Sequence, residues 1–513
     1  MASSSYAIKD ISNTKFILIF ISIITGGFLL RLIFSPVEIP LVLDSLLYFW
    51  YGIELSITGE FPSNYDLTNN MWPTILAPIF SITNFENYLD YMNLQRGISI
   101  FFSIITSIPI YFLAKKFLPK NIALLAPLLF IFEPRIVYNS FLGITEPMFL
   151  FCIISAFALF FSSSKKYVIS SFILIGFSCL VRYESLILII PMCGILFFRF
   201  KKLKYRISYP ALAIIIFLVV ITPMSIIKIE TMGYDGIFSH VIGGANVVIY
   251  ESKSEVGKIF PIDGTINFFK LLGWILLPTF LIFLPLGIIS FFKNKNSKRF
   301  ELVILSIFSL IPAFYATIRG IEDTRYYFIF FPLLIIFSLS FFEWFTNKWK
   351  NKYFKFIFVG FIIITSFGFL SMKDDNMYKS EVFHVVKENF EEIKVVNDIH
   401  PYSPYFRTMP LHYSNDFPIE KNQIGNDIVI LPIENYDSFY ELFNSDVGKT
   451  ISHIIIDDSE TRKDFLQELF TNENKYPFLT KDYDSLEEGL DHHVKIFRFD
   501  SAKFINLDTE EGR

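Results

Sequence analysis

About eleven apolar stretches recur between residues 16 and 371 of this chain, most of them 18 to 24 residues long. That is the length a helix needs to cross a hydrocarbon layer about 30 Å thick. Inside lipid no water is available to the backbone, so such stretches can only be helices that satisfy their own N–H and C=O groups. The candidate spans are 16–35, 96–117, 121–138, 143–163, 167–182, 184–199, 207–228, 270–292, 300–318, 325–346 and 354–371. Composition agrees: 53% of residues are hydrophobic, 18% are charged, 62 are Phe and the mean hydropathy is +0.47. No ordinary soluble domain of this length has such values, so an all-α polytopic membrane protein is expected. Cys152, Cys179 and Cys193 all lie in apolar segments and read as small core residues, not as disulfide or zinc ligands. The net charge of −4 offers no basic surface, and nucleic acid is not expected as a partner.

Lys and Arg gather at 115–120, 165–166, 199–206, 293–299 and 348–355, which are every second connection between the spans. The positive-inside rule then predicts a multi-pass protein of the cell membrane, with a cytoplasmic N-terminus, a retained first helix and an extracytoplasmic C-terminal region. On this threading 1–371 form the membrane domain, with outer loops at 36–95 and 229–269, and 372–513 form a separate soluble domain. In that tail, acids outnumber bases and apolar runs shrink to strand length at 427–432, 453–458 and 494–500. Helix-like segments at 436–445 and 459–472 separate them, which predicts a small α/β domain. The segment 71–85, with Pro73 and Pro78, suits a surface or re-entrant helix better than a span.

The informative residues are ionisable groups at the outer helix ends. Asp44 follows the first span by about ten residues, in a half-apolar stretch resembling a helix on the bilayer surface. Arg96 opens the second span, Glu133 and Arg135 close the third, and Glu146 opens the fourth. Arg182 and Glu184 occupy a tight turn, and Arg319, Glu322, Asp323 and Arg325 precede the tenth span. Any one of these arginines is equally well read as a helix-end side chain reaching back to water. Together they describe a mixed-charge cavity at one membrane face, suited to a phosphate-bearing, hydroxyl-rich lipid. The fitting chemistry is sugar transfer from a lipid-linked phosphate, in which a carboxylate takes the proton of the attacking hydroxyl and cations stabilise the leaving phosphate. Asp44 fits the first role, and some of Arg96, Arg135, Arg182 and Arg325 fit the second. One base without a protein nucleophile implies single displacement with inversion. Glu146 is placed to hold the acceptor, to tune Asp44, or to bind a divalent cation, Mg or Mn, together with it; no cofactor is otherwise indicated.

The order of these motifs resembles a family. Asp44 and Tyr48 are followed by Thr58-Gly59-Glu60-Phe61-Pro62, Asn69-Asn70-Met71-Trp72-Pro73 and Arg96, then by Gly143-Ile144-Thr145-Glu146, Arg182-Tyr183-Glu184 and Thr324-Arg325-Tyr326-Tyr327. This is similar to the GT-C superfamily of integral-membrane glycosyltransferases, nearest the branch holding dolichyl-phosphate-mannose protein mannosyltransferases and lipid A aminoarabinose transferases. The resemblance spans about residues 10–350. It implies a polyprenyl (dolichyl) phosphate-linked sugar donor, a catalytic acid at Asp44, and donor contacts from Arg96, Arg135, Arg182, Glu184, Arg325 and Tyr326. The acceptor it implies is a hydroxyl on protein, lipid or glycan outside the cytoplasm. Two departures stand out. Asp44 is followed by Ser45 where many members carry paired acids, so either Asp44 acts alone or Glu60 or Asp66 supplies a second carboxylate, and Met71-Trp72-Pro73 replaces the Lys-Pro-Pro of the aminoarabinose branch.

A transporter or flippase of lipid-linked sugars is the alternative, but it calls for repeat symmetry and mid-helix charges that the sequence does not display. Asp491-His492-His493 reads as adjacent strand residues on opposite faces, not as a metal motif. His240 and Gly243-Gly244 read as loop chemistry, and Tyr48, Trp50, Tyr51 and Trp72 as an interfacial aromatic belt or a sugar platform.

Overall fold

The structure, a computed structural model, describes residues 12–511 apart from 64, 66, 68, 244–260, 278, 294–295, 350–352, 373–375, 410–427 and 434. Asp66, Gly244 and Asp427 therefore lie outside the described residues. The chain forms two compact units. One comprises Met1–Ser35, Tyr51–Ile82 and Leu94–Lys373; the other comprises Pro36–Trp50, Thr83–Asn93 and Asp374–Arg513.

The first unit is helical. Six helices in the described residues are long and apolar enough to cross a membrane, or seven if one bent pair counts as a span. Five of them are Asn13–Phe34, Tyr88–Ala114, Leu203–Met232, Ser297–Ile318 and Thr324–Thr346, and the sixth begins at Phe354. They coincide with expected spans, and the chain is a multi-pass membrane protein. The number eleven goes beyond what helix length supports. The stretch 121–138 is a pair, Lys120–Ile131 and Pro134–Ser140, bent by 53°. The bend is local chemistry: Pro134 cannot continue a preceding helix, and the Glu133 carboxylate accepts from the backbone N–H groups of Arg135 (2.7 Å) and Ile136 (3.0 Å) as an N-cap. The stretch 143–163 holds the 15-residue helix Glu146–Phe160. The stretch 167–182 is covered by Lys165–Val181, and 184–199 by a 3₁₀ turn, Tyr183–Leu188, running into Ile189–Arg199. The stretch 270–292 divides between Pro261–Trp274 and Leu284–Lys293. At Gly287 a Cβ would sit 2.3 Å from the Phe337 carbonyl oxygen, so only glycine lets these two helix backbones approach as they do.

Arginines tie this bundle together from inside. Arg31, fully buried in the first helix, donates to Ser140 Oγ (3.2 Å), Ser103 Oγ (2.8 Å) and the carbonyls of Gly27 (2.9 Å) and Ile131 (3.1 Å). Trp72 is also fully buried, and Tyr51 is nearly so and accepts from Asn70 Nδ2 at 3.0 Å. Neither belongs to an aromatic belt exposed at an interface.

The second unit carries a five-stranded sheet in the order β2-β1-β3-β5-β4, with β1 Val395–Asn397, β2 Val429–Leu431, β3 His453–Asp457, β4 Leu479–Asp484 and β5 Val494–Phe499. The strands β2, β1 and β3 are parallel; β5 runs antiparallel to β3, and β4 antiparallel to β5. Three of the strands fall where short apolar runs predict them. β1 is three residues long and β4 carries Lys481 and Asp482, so neither reads as a strand in sequence. Alternation along β3 sends Ile454 and Ile456 into one core, with Phe439, Phe465 and Phe504, and Ile455 into the other, with Val386 and Tyr402. Both faces are therefore covered. Ile39, from the first outer loop, packs into the second core beside Val382. Asn93 Nδ2 donates to the Val37 carbonyl at 2.8 Å, which ties the two loop segments of this unit to one another.

His453, almost wholly buried at the start of β3, has its imidazole pKa lowered from 6.5 by burial, against the opposing fields of Asp482 and Glu392. The folded domain thus binds this proton less readily than the unfolded chain does. The tail domain should be most stable above pH 6.5 and lose stability as pH falls through that value. Hydrogen exchange at β3 amides in the detergent-solubilised chain, corrected for intrinsic rates, should show protection falling between about pH 7.5 and 5.5, with His453→Gln flattening the profile. A profile of opposite slope would contradict this assignment.

Candidate active site

A sharp turn presents the central carboxylate. Gly143 adopts a left-handed backbone (φ +67°), and its carbonyl accepts from Gln95 Nε2 (2.7 Å) and Trp72 Nε1 (3.1 Å). Arg96 Nε donates to the Phe141 carbonyl at 2.9 Å. Three side chains from two helices therefore grip the turn 141–145, and Glu146 opens the next helix with Pro147 at a position whose fixed φ suits a helix start. Glu146 is buried.

Two guanidinium groups converge on it. The helix Lys165–Val181 ends at Arg182, whose extended backbone turns the chain into Tyr183–Leu188. Arg182 donates through Nη1 to Glu146 Oε1, and through Nε (3.0 Å) and Nη2 (2.6 Å) to Glu184 Oε1. Its guanidinium lies over the Tyr326 ring at 5.3 Å and over Phe149 at 5.8 Å. Arg325 is fixed by the residue two before it. Asp323 caps the 3₁₀ turn Thr324–Phe330 by accepting from Arg325 N (2.8 Å), and its other oxygen accepts from Arg325 Nε (2.5 Å). That leaves Nη1 of Arg325 at 3.5 Å from the same Glu146 Oε1. One carboxylate oxygen is shared by two cations. Together with Glu184, Tyr326, Phe149 and Ser309 they line a narrow cleft of about 20 Å³. Arg325, whose side chain is 30% exposed, is its open side; Arg182, at 16%, is its floor.

The structure thus brings together four of the residues expected to contact the donor, Arg182, Glu184, Arg325 and Tyr326, with Glu146. Arg96 is not at the cleft: it holds the turn behind Glu146. Arg135 stands apart too. It is buried, pairs with Glu133 (3.4 Å), and donates to the carbonyls of Leu277 and Trp274 (2.7 Å for the latter), which makes it a clamp between helices. Asp44 opens the helix Asp44–Thr58, after Leu43 in a left-handed backbone (φ 55°), and is exposed in the second unit. Glu60 is exposed. Sequence reasoning set His240 aside as loop chemistry, yet its ring packs on Tyr183 at 4.4 Å, next to Arg182. No local pattern announces that contact. In sequence Asp323 reads only as one of the charges before the tenth span; the signal for its capping role is an Asp two residues before Arg325 at a helix start.

A divalent ion does not fit Glu146, because two guanidinium groups already neutralise and crowd that carboxylate. A different group of described residues, Glu392, His453 and Asp482 in the tail sheet, has potential ligand atoms within 4.8 Å of one another, a donor set with the composition of a zinc site. Asp482 there also accepts from Arg498 Nη2 at 3.1 Å.

Residues 92–227 match the family model described as dolichyl-phosphate-mannose-protein mannosyltransferase. They include Arg96, the turn before Glu146, and Arg182-Tyr183-Glu184. No curated protein matches the chain. Among solved structures it is similar to the archaeal oligosaccharyltransferase AglB from Archaeoglobus fulgidus, in complex with an inhibitory peptide and a dolichol-phosphate. That match has a TM-score of 0.54 and 12% identity, over 86% of this chain and 69% of that one. The same enzyme tethered to an acceptor peptide with the NVT sequon gives a TM-score of 0.54 and 13% identity, over 87% and 69%. A form with Zn and sulfate gives 0.51 and 12%, over 86% and 68%. The family match and the shared architecture bear out the resemblance read in the sequence: this chain has the fold of the GT-C superfamily of integral-membrane glycosyltransferases.

Proposed function

We propose that the chain is an inverting glycosyltransferase that moves a sugar from a polyprenyl (dolichyl) phosphate carrier to an acceptor hydroxyl on the extracytoplasmic face. The observation that carries this reading is the pair Arg182 and Arg325 converging on Glu146 at a membrane helix end. Two guanidinium groups prearranged in a low-dielectric cleft can stabilise the charge that develops on a leaving phosphate without having to reorganise. Glu184 Oε1, which accepts from both Nε and Nη2 of Arg182, and Asp323, which accepts from the backbone N–H and Nε of Arg325, hold the two side chains in place, and Glu146 keeps them from repelling each other apart. The free volume is too small for a phosphate, so Arg325, the more exposed of the two, swings off Glu146 as the anion enters. Tyr326, its ring against Arg182, forms the wall beside the sugar.

In the chemical step the acceptor oxygen attacks the anomeric carbon and a carboxylate takes its proton, the role that the resemblance to the GT-C superfamily implies for Asp44. The bond from that carbon to the phosphate oxygen breaks, and the electron pair leaves with the polyprenyl phosphate. A glycosidic bond of inverted configuration remains. A donor of this class is consistent with the dolichol-phosphate bound by the archaeal relative, and a protein acceptor with that relative's peptide. The alternating basic loops favour a cytoplasmic N-terminus, an extracytoplasmic tail domain and membrane domain boundaries near 1–371. No step in this reading requires a metal.

Two sets of variants test it, each assayed with purified protein and lipid-linked donor. Arg182→Lys and Arg325→Lys keep the charge but lose the fork, and each should lower kcat/KM by roughly 10²–10³. Asp44→Asn should lower kcat by roughly 10²–10⁴ with donor KM little changed, because it removes a base and no donor contact. Full activity in Asp44→Asn would sink the assignment of the base, and unchanged kinetics in both arginine variants would sink the phosphate site.

A further inference from the structure

The tail domain contains a second pocket, of about 550 Å³, within the roughly 300–1,000 Å³ typical of small-molecule sites. Its position follows from the topology. β1 and β3 are parallel, and the chain leaving β1 supplies His400, Pro401 and Tyr402, while the chain leaving β3 supplies Asp457 to Arg462. β5 starts opposite the end of β3, with Asp457 paired to Val494, so His492 and His493 arrive at the same edge. This is the carboxyl end of parallel strands, where open α/β sheets bind ligands.

The lining has a definite chemical character. Arg462 is fixed by two bonds to Asp457 (Nε 2.7 Å, Nη2 2.6 Å) and a third to the His400 carbonyl (2.9 Å), so a rigid guanidinium bridges the loops that follow β1 and β3. Asp458 is exposed and in no ion pair among the described residues. His492 stands edge-on to the Tyr378 ring at 4.2 Å. His493 turns the other way, onto Phe470 at 4.7 Å and towards Asp484 at 3.1 Å, so the two imidazoles do not form a metal pair. Two carboxylates against one already paired arginine disfavour a phosphate, and the polar floor disfavours an apolar guest. Carboxylate acceptors, a planar donor, hydroxyls at Ser459 and Thr461 and an aromatic wall together suit a neutral polyhydroxylated ring.

We propose that this pocket is a saccharide-binding subsite, in which Asp458 and Asp457 accept hydrogen bonds from the hydroxyls of a pyranose and the Tyr378–His492 pair packs against its carbon face. The sugar is carried either by the acceptor or by the donor lipid; the recognised chemistry is the same. The inference stands on the pocket alone, and binding there is measurable whether or not the membrane site transfers sugar.

The full chain, in a detergent without a sugar headgroup, is titrated with mannose, glucose and galactose tetrasaccharides by saturation-transfer NMR. At least one should bind, and Asp458→Asn should weaken it about tenfold or more. The conservative surface change spares the fold, as does Tyr378→Phe, which should leave binding within about twofold. Asp446→Asn, an exposed control elsewhere in the domain, should have no effect. If transfer is also observed, a rise in acceptor KM in Asp458→Asn assigns the sugar to the acceptor, and a rise in donor KM assigns it to the lipid. No binding by any of the three, equal binding by Asp458→Asn, or loss of binding in Arg182→Lys instead, overturns the proposal.

Discussion

A guanidinium buried between apolar helices has to be fully bonded, and that requirement organises the membrane unit. An arginine in such surroundings cannot shed its proton cheaply, so each one recruits carbonyls, hydroxyls or carboxylates from neighbouring elements. Arg31 does so with two serines and two carbonyls, Arg299 with the carbonyls of Phe291 and Phe117, and Arg199 with Glu301 and the Phe160 carbonyl. In a lipid environment, where apolar packing drives association only weakly, such ties can fix which helices are neighbours. The bonding capacity of these three arginines is taken up by carbonyls, two serine hydroxyls and, for Arg199, one carboxylate.

Arg182 and Arg325 are different because their partners are carboxylates gathered at a cleft, one of which is common to both. Carboxylates can be exchanged for a phosphate of similar geometry, whereas carbonyls from a packed helix end cannot be displaced without unfolding it. That distinction separates Arg135 from the site more sharply than distance does. Arg135 has the same sequence signature, an arginine at an outer helix end beside a glutamate, but its guanidinium is committed to two carbonyls. The turn at Gly143 shows the support the site needs. Trp72, Gln95 and Arg96 all act on backbone between Phe141 and Gly143, so Arg96, which reads as a donor contact in sequence, acts one step behind the carboxylate.

In the tail, the legible part was the hydrophobic rhythm. β3 has three buried isoleucines between polar ends, and β5 alternates, so both were readable as strands. β1 and β4 were not, because a three-residue strand carries no period and a strand with charged residues at 481, 482 and 484 shows no apolar alternation. Nor could sequence place Ile39 in the second core, since a loop residue joins a distant core only through tertiary packing. The pocket at the strand ends has the same origin. His400, Asp458 and His492 are far apart in the chain and meet only because the sheet sets their strands side by side.

What the amino-acid sequence determined by itself was everything governed by local composition: a multi-pass helical membrane protein, the positions of its six long spans, the helix-terminal charges, and a tail of mixed strands and helices. These follow from the cost of burying polar backbone and charge in an apolar medium, a cost each segment incurs independently of the others. The tertiary structure decided which charges share a partner. Arg96, Arg135, Arg182 and Arg325 are equivalent as letters, and only the packing of their helices puts two of them on one oxygen of Glu146, one against a turn, and one against carbonyls. Electrostatic interaction depends on separation in space, and separation along the chain does not fix it.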